Sequence, residues 1–200
     1  MEVNVKDDLL LSQGYDGLTA WARAAENGKN DILERLWSWG REVQVNLKDD
    51  LLLAKGRDGL TAWDIAAFEG KKEMLGKLWS WGREVQVNLK NDLLLAKCVN
   101  ELTAWSIAAL SGNKDILEKL WCWGKEVQVN LKDDLLLAKG YYGQTAWDRA
   151  AENGTIEVLE TLWGWGREVK ANLKDDLLLA KGRAGLTVWD IAAFIGEKKI

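Results

Sequence analysis

The recurring pairs of adjacent carboxylates, such as Asp49-Asp50, Asp133-Asp134 and Asp175-Asp176, are the residues in this chain that most invite a chemical reading. Paired carboxylates recurring at a fixed interval suggest calcium, but the spacing matches no EF-hand loop. Each pair instead follows an asparagine and precedes three leucines, where the first turn of a helix favours acids. Cys98 and Cys122 are the other reactive side chains, and the chain has no histidine to activate either thiol or to complete a zinc site. Thirteen tryptophans could stack on sugars or bases, but they keep a fixed phase within amphipathic stripes, which marks them as core. The expectation is therefore no catalytic residue, no metal, no cofactor and no enzyme.

Charge and hydropathy narrow the remaining classes. A net charge of -4 disfavours nucleic acid and anionic membranes, which attract cationic surfaces. The opening "MEVNVKDD" is polar and acidic, unlike a signal peptide, and no apolar run approaches the roughly 20 residues a membrane helix needs. By default this places the chain in the cytoplasm. Cys98 stands where other copies of a repeat have glycine, and Cys122 where they have serine or glycine, which reads as drift and not as a disulfide framework.

That repeat must position everything else. Trp21, Trp63, Trp105, Trp147 and Trp189 stand 42 apart, each preceded by Thr-Ala or Thr-Val. One repeat domain, residues 1–200, divides into a partial copy at 1–16, full copies at 17–58, 59–100, 101–142 and 143–184, and a partial copy at 185–200. In "TAWDIAAFEG", Trp63, Ala66 and Ala67 share a helical face, Thr61 is placed to cap, Asp64 to complete a capping box, and Gly70 to stop the helix. In "KEMLGKLWSWG", Met74, Leu75, Leu78 and Trp79 form a second stripe, and Gly82 is expected to end it.

The pattern G-x-T-A-W-x-x-A-A-x-x-G, followed by a helix ending L-W-x-x-G, resembles the ankyrin repeat, whose core is G-x-T-P-L-H-x-A-A-x-x-G. The resemblance covers about 24 residues of each copy. It implies an all-α solenoid of paired helices joined by turn tips, with tips and first helices facing a concave, partner-binding groove. Three departures stand out: alanine for the family's proline, tryptophan for its leucine, and Asp, Ser or Ala for its histidine. The period of 42 would also suit three-helix armadillo repeats, but the phase of the Thr cap, the paired alanines and the glycine favours ankyrin.

The residues in excess of the ankyrin length follow the second helix. There Asn46 is placed to cap a short third helix, "LKDDLLLA". Trp37 and Trp39 lie roughly 200° apart around a helix, so Trp37 is expected in the core. Trp39, with Trp81, Trp123 and Trp165, is expected to be buried against Leu51, Leu52, Leu53 and their equivalents.

The outer segment "EVQVNLKDDLLLAK" hardly changes between copies, whereas the turn tips and one side of the first helix vary. Arg23 recurs with Glu26, and Arg149 with Glu152; Ile65 goes with Phe68 and Ile107 with Leu110. The expected function is a noncatalytic protein-binding scaffold. Its contacts are drawn from Arg57, Asp58, Phe68, Val99, Asn100, Leu110, Tyr141, Tyr142, Arg149, Glu152 and Arg183. The rival reading is a structural or engineered array with no dedicated partner. Weak head-to-tail self-association is also expected, from apolar end residues such as Trp189.

Overall fold

The structure is a computed structural model that describes residues 10–15, 17–56, 59–98, 101–181, 185–190 and 193, with the side chain of Tyr141 left undescribed. Among these residues it is all-helical, with isolated bridges but no strands. In chain order the α-helices are α1 (Ala20–Glu26), α2 (Asn30–Glu42), α3 (Ala62–Phe68), α4 (Lys72–Glu84), α5 (Ala104–Leu110), α6 (Lys114–Glu126), α7 (Ala146–Glu152) and α8 (Ile156–Glu168). A six-residue π-helical turn follows each long helix: π1 (Leu47–Leu52), π2 (Leu89–Leu94), π3 (Leu131–Leu136) and π4 (Leu173–Leu178). Each short helix packs on the next short helix and on the long helix that follows it, so successive copies stack in line.

Local chemistry explains the short helices. The Thr61 hydroxyl accepts the Asp64 N–H, while the Asp64 carboxylate accepts the Thr61 N–H at 2.9 Å and its hydroxyl at 2.8 Å. Thr145 and Asp148 repeat this box in α7, and Thr103 and Ser106 make a neutral version in α5. In α1 the partner position is Ala22, so Thr19 caps alone. Burial pushes the carboxyls of Asp64 and Asp148 above the ordinary aspartate value, against the lowering effect of their threonine hydrogen bonds. After α3, Gly70 takes φ +68, the left-handed conformation that glycine adopts without penalty. The pairs Ala66-Ala67 and Ala108-Ala109 are fully buried, as close helix approach requires.

The long helices do not end where the sequence suggests. α4 continues through Gly82 to Glu84, and Gln86 takes the left-handed position at φ +56. The Val87 N–H then reaches back to the Gly82 carbonyl at 3.0 Å, closing a Schellman-type cap. Gly82 serves a different purpose: a Cβ there would lie 2.9 Å from Leu93 Cδ1 and 3.0 Å from Leu89 Cδ2. Glycine therefore cuts a notch into which the π-turn settles. Asn46 caps π1 as expected, accepting the Asp49 N–H at 3.1 Å, while Asp50 accepts the Asn46 N–H at 3.0 Å. The expected third helix is π-wound, with the Leu53 N–H bonded to the Lys48 carbonyl at 2.8 Å. Leu51 and Leu52 are fully buried.

The second tryptophans also depart from expectation. Trp81, Trp123 and Trp165 are half-buried, not buried. Trp81 stacks on Trp37 of the preceding copy, 4.8 Å between ring centroids and 12° from parallel, with Trp21 5.6 Å away. Trp123 stacks on Trp79 at 4.6 Å, and Trp165 on Trp121 at 4.7 Å. Two tryptophans of one copy thus receive one from the next, and this aromatic triad forms the junction. Trp39 has no such pair among the described residues and is 50% exposed, beside a groove of about 310 Å³ lined by Asp31, Ile32 and Arg35. A helical wheel of one copy places Trp39 opposite Trp37 but cannot show that the neighbouring copy reaches that side.

Candidate functional site

Two long edges of this array differ in kind. Along the edge made by the ends of the long helices and the π-turns, ion pairs link each copy to the next. Arg41–Glu84 and Lys125–Glu168, each at 2.5 Å, and Arg83–Glu126 form one row. Lys48–Asp92 at 3.4 Å, Lys90–Asp134 at 3.8 Å and Lys132–Asp176 at 2.9 Å form a second. The recurrent acidic pairs are thereby accounted for: the first aspartate accepts a hydrogen bond from the capping asparagine in three copies, the second accepts the cap N–H, and Asp134 and Asp176 also face a lysine of the preceding copy. The hydrogen bond from Lys132 also holds the Asp176 carboxyl below its ordinary range. Among the described residues, no group of three or more His, Cys, Asp or Glu is gathered as a metal site would need. Cys98 packs against the core, Cys122 is exposed on α6, and neither is disulfide-bonded.

The edge made by the short helices carries the variable residues. Glu26, Phe68, Leu110 and Glu152 occupy the same position in successive copies, at the last residue of α1, α3, α5 and α7. Phe68 is 51% exposed although it follows the fully buried Ala66 and Ala67. Leu110 and Glu152 are half-buried and Glu26 is exposed. Two apolar side chains therefore lie between two carboxylates. Asparagines of the following copy hold this edge in place: Asn113 Nδ2 donates to the Ala67 and Phe68 carbonyls at 3.0 and 2.7 Å, and Asn153 donates to the Leu110 carbonyl. Neither link was expected from the sequence; the signal available was an Asn one residue past the short helix in the first and fourth copies (Asn27, Asn153) and three past it in the third (Asn113).

Of the remaining sequence-derived contact residues, Tyr142 is 52% exposed at a turn tip and holds a left-handed φ of +58, which is costly for a bulky side chain. Arg149 differs from expectation. It is buried to 9% exposure because it fills the slot that Ile65 and Ile107 occupy in earlier copies, and its Nη1 lies 3.6 Å from Glu152 Oε2. The same slot in the first copy holds Arg23, which is exposed. Arg57, Asp58, Val99, Asn100 and Arg183, and the side chain of Tyr141, lie outside the described residues.

No helix among the described residues is long and apolar enough to cross a membrane. Compared with known proteins, the chain matches no protein-family model and no curated protein sequence.

Proposed function

We propose that the chain is a noncatalytic protein-binding scaffold, an ankyrin-like solenoid of 42-residue copies whose partner lies along the short-helix edge. The observation that carries this reading is the open phenyl ring of Phe68 beside Leu110, on the edge where the copies differ from one another. The opposite edge repeats nearly unchanged and spends its charges on holding copies together. In an ankyrin-like arrangement the short helices and turn tips line the concave side. Aromatic side chains are enriched among binding hot spots, so Phe68, Tyr141 and Tyr142 anchor the partner, with Leu110 completing the apolar centre. Arg23, Glu26 and Glu152 form a polar rim that acts on association rate and salt dependence more than on final affinity. Trp189, 62% exposed, adds weak head-to-tail self-association, with the half-exposed Trp39 as its apolar counterpart, which light scattering across a concentration series would detect; Ile191 and Phe194 lie outside the described residues.

Affinity capture followed by titration tests the reading. Replacing Tyr141 and Tyr142 with alanine is expected to weaken a captured partner by roughly 2 kcal/mol or more, and Phe68→Ala likewise. Changing Lys90 and Asn91 on the π-turn edge is expected to leave affinity unchanged. Loss of binding from the Lys90 and Asn91 changes alone would move the functional surface to the other edge. Partners indifferent to both sets would favour the rival, an array with no dedicated partner.

A further inference from the structure

We infer that α7 is the seam of the array, the helix that opens before its neighbours. In the fourth copy polar side chains take positions that are apolar in the second and third. Gln144 stands where Leu18, Leu60, Leu102 and Leu186 stand elsewhere, yet it is 1% exposed. Arg149 fills the isoleucine slot, and Glu152 takes the place of Phe68 and Leu110. The Gln144 amide donates to Glu152 at 2.5 Å, but its carbonyl oxygen has no hydrogen-bond partner among the described residues. Asp148, also 1% exposed, uses one carboxylate oxygen in its capping box at 2.9 Å and leaves the other buried without a partner among those residues.

A buried acceptor left unpaired in the folded state recovers its hydrogen bonds to water when the segment opens, which shifts the opening equilibrium about tenfold for each such group. Two of them fall within five residues of one another around α7. α3 and α5 differ: α3 has leucine, isoleucine and phenylalanine at the positions of Gln144, Arg149 and Glu152, and α5 has leucine, isoleucine and leucine. Apart from the tryptophan indole N–H that each short helix buries without a partner among the described residues, α5 leaves unpaired only the Ser111 hydroxyl at its C-cap, and α3 leaves none. Arg149 adds to the contrast: it is only 9% exposed and lies 3.6 Å from Glu152 of its own helix, whereas the same slot on α3 and α5 holds the buried aliphatic side chains Ile65 and Ile107.

Native-state hydrogen exchange on the full chain tests this. The slowest amides of α7 are expected to be at least tenfold less protected than those of α3 and α5. Gln144→Leu is expected to raise α7 protection about tenfold and leave α3 unchanged. The quadruple change Gln144→Leu, Asp148→Ser, Arg149→Ile, Glu152→Leu installs the side chains of the third copy and should bring α7 level with α5. If α7 exchanges as slowly as α5 in the parent chain, the inference fails. It fails equally if α7 is labile but neither variant protects it, because the lability would then follow position along the chain and not the polar substitutions.

Discussion

Two glycines in α8, two residues apart, should respond to the same substitution with opposite signs. At Gly164 a Cβ would meet no heavy atom within 4 Å, so Gly164→Ala adds no clash. It removes the backbone-entropy cost of a mid-helix glycine and should stabilise by about 0.5–1 kcal/mol. At Gly166 the same methyl would lie 2.7 Å from Leu173 Cδ2, 3.3 Å from Leu177 Cδ1 and 3.7 Å from Leu136 Cδ2 of the preceding copy. Leu136 and Leu177 are both fully buried, which leaves them little freedom to move aside. Overpacking of this kind costs about 1–3 kcal/mol, and the helix-propensity gain of about 1 kcal/mol offsets only part of it. The net result is a loss of up to about 2 kcal/mol. Urea melts followed by far-UV circular dichroism, with hydrogen exchange across α8 and π4, would read both changes. In thermal melts each kcal/mol should move the midpoint by about 2–4 °C. Equal stabilisation by the two variants would refute the claim that the glycine recurring as Gly40, Gly82, Gly124 and Gly166 is a packing notch.

Acid should act unusually at two capping carboxylates. Burial raises the folded-state values of Asp64 and Asp148 above the unfolded value near 3.8, so stability from these groups grows as pH falls through the raised value towards 3.8. Asp64→Asn and Asp148→Asn should therefore make the chain lose stability more steeply between pH 7 and 4 than the parent, measured by urea melts at each pH. Asp176 has the opposite sign: its lowered value means that its contribution is present above 3.8 and is lost as pH falls through the folded-state value. The inter-copy ion pairs are solvent-exposed, so changing Glu84, Glu126 and Glu168 together to glutamine should cost no more than about 1 kcal/mol per pair. That cost should shrink in high salt, and chemical melts at low and high ionic strength would show whether it does.

What was legible in the chain was whatever one copy decides alone. Thr61 with Asp64, Gly70, the Met74–Trp79 stripe and the Asn46 cap are local devices, and each occurs where the spacing places it. Features that depend on the neighbouring copy were harder to read. The reach of Trp81 onto Trp37 and the Asn113 link to α3 both involve a second copy that a helical wheel does not contain. Gly82 was misread for a related reason. A glycine near a helix end suggests a left-handed cap, but the close approach of Leu89 and Leu93 is visible only once the π-turn is folded back. The candidate surface was legible as variation between copies, because Phe68 and Leu110 differ from Glu26 and Glu152 in the sequence itself; their unequal exposure was not.

The central structural claim is that copies are joined by tryptophans of adjacent copies. A pair of double-mutant cycles tests it most directly. Trp37 and Trp81 belong to different copies and stack at 4.8 Å, so their alanine replacements should couple by about 0.5–1.5 kcal/mol. Trp79 and Trp81 belong to one helix but stack on different partners, Trp79 on Trp123 and Trp81 on Trp37, so their coupling should stay within about 0.5 kcal/mol of zero. Coupling between Trp79 and Trp81, with none between Trp37 and Trp81, would contradict the account.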